Sequence, residues 1–234
     1  MSVETEDLLN PDLEFINSST GILSRLWRLT LWKLQLSYPK WESNVGNYVA
    51  IMERIYGVKR AQNIKGNLDD ALKADDMTWA NFVKGMVILN RPITKLTFRA
   101  VKGEVELERT IVIKTVATCT RANEVFELEH MEESRINLKN VLNDIFDTYI
   151  GNEEDWQNAL VKYSEQKSKV SVEREGEERS ASAVRSSIKK KLKTPTIMWK
   201  SFVEGLEICE LDYIELTLVL GGTRCLQLNL RANL

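Results

Sequence analysis

The sequence predicts an α+β fold of two tandem related modules, each several α-helices followed by a β-hairpin, with the hairpins pairing into one shared antiparallel sheet. Three observations predict it. Residues 77–88 and 197–208 write one pattern twice, with Trp79, Phe82, Val83 and Gly85 matched by Trp199, Phe202, Val203 and Gly205. Upstream of each copy, apolar residues recur at helical spacing. Downstream of each, they alternate with polar residues on both sides of a glycine loop.

Residues 1–17 are acidic, contain Pro11, and read as an extended arm anchored through Phe15 and Ile16. Ser18, Ser19 and Thr20 offer N-caps for a first helix, in which Leu23, Leu26, Trp27, Leu31 and Leu34 share a face. Taken alone, Leu29-Thr30-Leu31 also fits a strand. A shift of 115 positions decides between them. It carries Leu23, Leu26, Trp27, Thr30, Leu31 and Leu34 to Leu138, Val141, Leu142, Ile145, Phe146 and Tyr149, an unbroken helical stripe. The same shift carries Trp41 to Trp156 and Tyr48 to Tyr163. The first module therefore covers 18–116 and the second 134–234. Residues 117–133 join them, with 125–128 as a candidate short strand.

A second helix is predicted over 41–55, with Pro39 separating it from the first, and over 153–166 in the second module. Short helices follow at 67–72 and 187–192. Thr194 and Pro195 then have the arrangement of a cap and a first helical position. The core helix presents Trp79, Phe82, Val83 and Met86, matched by Trp199, Phe202, Val203 and Leu206, now at a shift of 120. Gly85 and Gly205 read as points of close approach between this helix and the sheet, because the apolar pattern continues past them. Leu96, Phe98 and Ala100 lead through Lys102-Gly103 into Val105, Leu107, Arg109, Ile111 and Ile113. Ile214, Leu216, Leu218 and Leu220 lead through Gly221-Gly222 into Leu226, Leu228 and Leu230. An isolated two-stranded hairpin is marginal in water, which favours the shared sheet over two separately buried hairpins. Residues 164–187 are polar, with Glu173, Glu175, Glu177 and Glu178 beside a Ser/Arg/Lys run, and read as an exposed helix or a flexible loop.

The composition narrows the function classes. Net charge is −2, hydrophobic residues make up 43% and charged residues 28%, so no bulk attraction to nucleic acid or membrane is expected. No run approaches the length of a spanning helix, and the polar opening Met1-Ser2-Val3-Glu4 does not read as a secretory signal. Cys119, Cys209 and Cys225 lack paired spacing, which points to a reducing compartment. With His130 they lack the closely spaced pairs of a zinc site, and Cys209 and Cys225 read as small apolar fillers. Paired acids such as Asp75 and Asp76, or Glu153, Glu154 and Asp155, stand at helix starts, where they complement the macrodipole. No nucleophile motif accompanies His130. The expectation is a protein without catalytic, cofactor-binding or metal-binding residues. One cluster, Arg185, Lys189, Lys190, Lys191 and Lys193, is the candidate phosphate or nucleic-acid contact. A solvated helix face is the stronger reading, because acids precede it and the equivalent first-module helix carries Asp69 and Asp70.

Residues 20–28 (TGILSRLWR) resemble the start of a group of tailed-bacteriophage proteins. Residues 66–85, with Gly66-Asn67-Leu68, Ala71-Leu72, Met77-Thr78-Trp79, Phe82 and Lys84-Gly85, resemble the second signature of that group. The likeness covers mainly residues 20–100, and the second module keeps only Trp199, Phe202 and Gly205 of it. The resemblance carries no activity and no functional residues. It implies a phage origin, a place in the host cytoplasm or the virion, and partners among other phage proteins or a host protein. The sequence reading is thus a non-enzymatic phage protein acting through protein contacts, most simply a virion structural or assembly component. Trp79, Phe82, Gly85, Trp199, Phe202 and Gly205 are its structural repeat core.

Overall fold

The computed structural model describes residues 13–16, 21–75, 77–114, 126–175, 180–222 and 225–233. Apolar periodicity and capping set the elements, which run β1 (Leu13–Ile16), α1 (Ile22–Leu34), α2 (Tyr38–Tyr56), α3 (Val58–Lys73), α4 (Trp79–Leu89), β2 (Thr94–Lys102) and β3 (Val105–Val112). The second half runs α5 (Phe126–Tyr149), α6 (Glu153–Glu175), α7 (Ala181–Leu192), α8 (Trp199–Ile208), β4 (Tyr213–Leu220) and β5 (Leu226–Asn233), four helices and a hairpin as in the first half after β1. The fold is α+β.

One sheet takes in both hairpins, in the order β1-β5-β4-β2-β3. β2 and β4 pair antiparallel at its centre, with Thr97 opposite Thr217. Those two positions are 120 apart, the same spacing that separates Trp79 from Trp199 in the two core helices. The four hairpin strands are antiparallel, and β1 adds a parallel edge against β5, from Leu13 opposite Asn229 to Ile16 opposite Ala232. The N-terminal arm therefore reaches the second half of the chain.

Strand alternation sends Leu96, Phe98, Ala100, Ile214, Leu216, Leu218, Leu228 and Leu230 to one face, where all are buried. The helices cover that face, and side chains of both halves join one core. The halves also interleave. α1 lies against β5, while α5 lies against β3, where Arg109 pairs with Asp144 and Tyr149 Oη donates to the Ala100 carbonyl at 2.6 Å. Each half thus supplies the cover for the other's outer strand.

Gly85 and Gly205 are sites of close approach, but the surface they meet is a helix and not the sheet. A Cβ on Gly85 would stand 2.9 Å from the Trp27 ring, and one on Gly205 would stand 2.7 Å from Leu142 Cδ1. Trp27 and Leu142 are the pair related by the 115 shift, so both glycines meet the same helical position.

Several local expectations are corrected. Residues 126–128 open α5 and are not a strand. The cap of α1 is Gly21, at φ 80 with no side-chain bond, while Ser18, Ser19 and Thr20 lie outside the described residues. Pro39 sits within the first turn of α2, where its missing N–H costs nothing. The break before it is made by Gln35 in the left-handed conformation at φ 47. Thr194 does not cap α8, whose N-cap is Met198; its hydroxyl donates instead to the Lys191 carbonyl at 2.8 Å, closing the end of α7. The short helix at 67–72 is the last part of the longer α3, and 187–192 the last part of α7. The first hairpin turns through Gly103-Glu104, since Lys102 and Val105 pair. The second has a five-residue loop, since Leu220 pairs with Leu226; Gly221 first follows Ile93, donating to its carbonyl at 2.7 Å. Cys209 is buried as expected, whereas Cys225 is exposed and fills nothing. Cys119 lies outside the described residues.

Candidate functional site

The repeat-core residues meet where the two halves join. Trp79 and Trp199 stack with ring centroids 6.0 Å apart and planes 12° apart. Each also stacks on the phenylalanine of its own helix, at 5.9 Å for Phe82 and 5.2 Å for Phe202. Phe202 then meets Phe98 of the sheet edge-on at 5.5 Å. Helical spacing of i and i+3 puts each Trp–Phe pair on one face, and the sheet pairing brings the two faces together. Trp79 Nε1 donates to Ser134 Oγ at 3.2 Å, so the buried indole has its polar partner. Gly85 and Gly205 point away from this stack toward α1 and α5. The four aromatic residues form the joint between the halves, while the two glycines set helix contacts within each half.

The basic cluster does not converge. Arg185, Lys189 and Lys193 follow one another at i+4 steps along α7 and its C-cap, whereas Lys190 is exposed on another face. Lys191 turns toward α8, 3.6 Å from Glu204. Lys189 and Lys193 instead line a cleft of about 330 Å3 with Lys139 of α5. Phe146, Asp147, Ile150, Gly151, Asn152, Glu153 and Trp156, at the turn from α5 to α6, complete it. Lys139 Nζ donates to the Leu192 carbonyl at 2.6 Å, and burial pulls its pKa below the usual lysine value. Lys189 Nζ reaches Gln157 Oε1 at 3.4 Å. Lys139 was not visible as a site residue because its first-module equivalent is Ser24, which is not basic.

The opposite face of the sheet holds an ion network that the strand pattern concealed. Glu215 accepts from Arg99 at 2.8 Å and also pairs with Arg231, whose side chain is only 4% exposed. Arg99 further holds Glu106 at 2.5 Å, and the Arg231 guanidinium lies 4.2 Å from the centre of the Tyr213 ring. Burial pushes the Glu215 carboxyl up, but hydrogen bonds from Arg99 and Arg231 outweigh it and hold the group below its usual value. The Arg99 guanidinium, held by Glu106 and Glu215, stays charged at any attainable pH. Charges alternating with apolar residues on β2 and β4 mark such a face, but their partners follow only from the register.

No family model, no curated protein and no solved structure matches this chain.

Among the described residues, no group of three or more His, Cys, Asp or Glu side chains is placed to hold a metal ion. No described helix is long and apolar enough to cross a membrane. What the surface does offer is a set of exposed apolar side chains: Trp32 and Tyr38 at the turn from α1 to α2, and Val105 and Val112 on the edge strand β3.

Proposed function

We propose that this chain is a non-enzymatic bacteriophage protein that acts through protein–protein contacts, as a virion structural or assembly component, with other phage proteins or a host protein as its partners. The observation that supports this best is the way the two halves are joined. The aromatic stack, the central ladder and the Arg99–Glu215–Arg231 network all serve to hold two related halves as one body, and the large exposed apolar side chains stand around its periphery. Trp32 and Tyr38, two large exposed aromatic side chains at one corner, offer a contact point to a neighbour. The phage origin rests on the sequence resemblance. The twofold-like geometry further supports descent of the chain from one copied segment. Quantitative mass spectrometry of purified particles and of assembly intermediates tests the proposal: recovery at a fixed ratio to known particle proteins is expected, and absence from both rejects it.

A second reading, a nucleic-acid-binding or host-transcription-modulating protein, is favoured by the meeting of Lys139, Lys189 and Lys193 at one cleft. It predicts a mobility shift at low salt that weakens steeply as salt rises. No shift at low salt removes it.

A further inference from the structure

The two hairpins differ in what lies beside their outer strands. β5 is covered by β1, which pairs with residues 229–232. β3 ends the sheet, and among the described residues nothing pairs with its outer edge. The shift of 115 accounts for the difference: it carries Leu13–Ile16 to Leu128–Met131, which lie in the first turns of α5 instead of adding a strand. Lys102 and Val105 close a two-residue turn and so form a hydrogen-bonded pair. Alternation along the ladder then turns the N–H and C=O groups of Glu106, Glu108, Thr110 and Val112 outward. This edge has no proline or glycine, and past Val112 the Ile113 N–H still donates to the Thr94 carbonyl at 2.9 Å. Val112 is 57% exposed. The Glu108 carbonyl accepts from the Arg109 side chain at 2.8 Å, which occupies one of its two lone pairs.

We propose that β3 pairs antiparallel with β3 of a second copy of this chain, about a twofold axis at Thr110, joining the two sheets into one layer. An open edge is a template for another strand, and the charges along β3 select its own copy. Only registers that keep the helical faces of both sheets on one side are open to it. Centring on Glu108 or Arg109 opposes a charge to itself, and centring on Leu107 sets Glu106 against Glu108. Centring on Thr110 gives the longest overlap without opposed like charges, over residues 106–114. It sets Glu106 against Lys114, Glu108 against Val112, Leu107 against Ile113 and Arg109 against Ile111. The helices fit as well. Tyr149 Oη lies 2.6 Å from the Ala100 carbonyl oxygen of β2 and 3.2 Å from that of Val105 in β3, so α5 sits over the β2–β3 pair. With strands about 4.8 Å apart, the two copies of α5 come about 10 Å apart across the axis, an ordinary helix-packing distance. The opposite edge is the four-residue β1, too short to pair in the same way, so association stops at the dimer. This deepens the reading of the chain as a contact protein, on which it rests, by naming one partner.

Sedimentation of the purified full chain tests it, and succeeds or fails independently of particle proteomics. Between about 1 μM and about 1 mM, the range in which a small interface becomes populated, monomer is expected to give way to dimer and to nothing larger. Thr110→Pro removes the two N–H···O bonds at the axis and should weaken the dimer at least roughly thirtyfold. The Thr110 N–H faces outward, so the proline leaves the ladder to β2 in place, which circular dichroism and urea unfolding check. Two further variants read the register. In a Cys119→Ser, Cys225→Ser background, Thr110→Cys sets two thiols opposite each other with Cα atoms about 5.5 Å apart, and diamide oxidation should join the copies by a disulfide. Glu108→Cys in the same background leaves the thiols more than about 13 Å apart and should not cross-link. A chain monomeric up to about 1 mM overturns the proposal, as does a dimer of unchanged strength in Thr110→Pro. Any other cross-linking pattern in a chain that dimerises overturns it too.

Discussion

The two close-approach glycines allow one substitution to be compared at matched positions with different neighbours. Replacing Gly85 with Ala puts a Cβ 2.9 and 3.0 Å from two ring carbons of Trp27 and 3.3 Å from a Leu72 methyl. Ordinary carbon contacts are about 3.5–4.0 Å, so the helices must part or the ring must shift by several tenths of an ångström. Trp27 is 2% exposed and is flanked by Trp41 at 5.9 Å, so a rigid indole has nowhere to go. Overpacking of this kind costs about 1–3 kcal/mol, and removing a helical glycine returns about 0.5–1 kcal/mol. The difference spans about 0–2.5 kcal/mol, and the rigid ring puts the expected net loss in its upper half. At Gly205 the new Cβ meets the two methyls of Leu142 at 2.7 and 2.8 Å and Phe146 Cζ at 3.2 Å. A leucine end can change rotamer, so Gly205→Ala is expected to cost less, about 0–1 kcal/mol.

Urea unfolding of the two variants and the parent, followed by tryptophan fluorescence and circular dichroism, measures the difference. A third variant assigns the cause. Trp27→Leu places in the first module the side chain that the second carries at the equivalent position. In that background Gly85→Ala should cost at least about 1 kcal/mol less than it does against Trp27, a coupling of the size seen between touching residues. Equal costs at both glycines, or no coupling between positions 27 and 85, would refute the argument that neighbour stiffness sets the penalty.

Glu215→Gln removes the carboxylate that the buried Arg231 shares with Arg99, and a stability loss of about 3 kcal/mol is expected in urea titration at neutral pH. Because the folded-state pKa of Glu215 is depressed, its contribution is complete above the unfolded carboxylate value of about 4.3 and is lost as pH falls below it through the folded value. The variant should therefore lose less stability than the parent between neutral and acid pH. Trp79→Phe keeps much of the ring packing but removes the donor to Ser134, which should cost about 1–3 kcal/mol, whereas Trp79→Ala should cost about 3–5 kcal/mol; calorimetry separates the two. Burial pushes the Cys209 thiol up to about 12, so peptide mapping after iodoacetamide treatment at neutral pH should find Cys225 alkylated in the folded chain and Cys209 only after unfolding.

The α+β class and the apolar centres of the helices were legible because their signals are local, whereas the full extents of α3, α5 and α6 were not. The stripe from Leu138 to Tyr149 and the alternation from Ile214 to Leu220 each sit within one element. The pairing of the two hairpins into one sheet was also legible, because a lone hairpin is marginal, but the register and the edge partner were not. Nothing in Leu13-Glu14-Phe15-Ile16 names β5 as its neighbour, and nothing in Arg99 names Glu215; both follow from a register set by the whole sheet. The basic run on α7 looked like one patch in the linear text because 189–191 and 193 are close in sequence. A helix turns by about 100° per residue, so adjacent lysines leave in different directions and residues three or four apart line up. Lys189 and Lys193 therefore share the cleft, while Lys190 and Lys191 do not.

The geometry also explains why the repeat is plainest in the core helices. Under the 120 shift, residues placed opposite their own equivalents, Thr97 with Thr217 and Trp79 with Trp199, sit where the two halves touch. A change at either member of such a pair is felt by both halves, so the pattern there is constrained twice. Away from the junction each half has its own neighbours, and the chemistry is free to diverge: Trp27 against Leu142, Ser24 against Lys139, Trp32 against Asp147. β3 and β5 show the same divergence at the sheet edges, one carrying the exposed Val105 and Val112 and the other paired with β1. Differences between the halves are found both in the core, at Trp27 against Leu142, and on the surface, at Trp32 against Asp147.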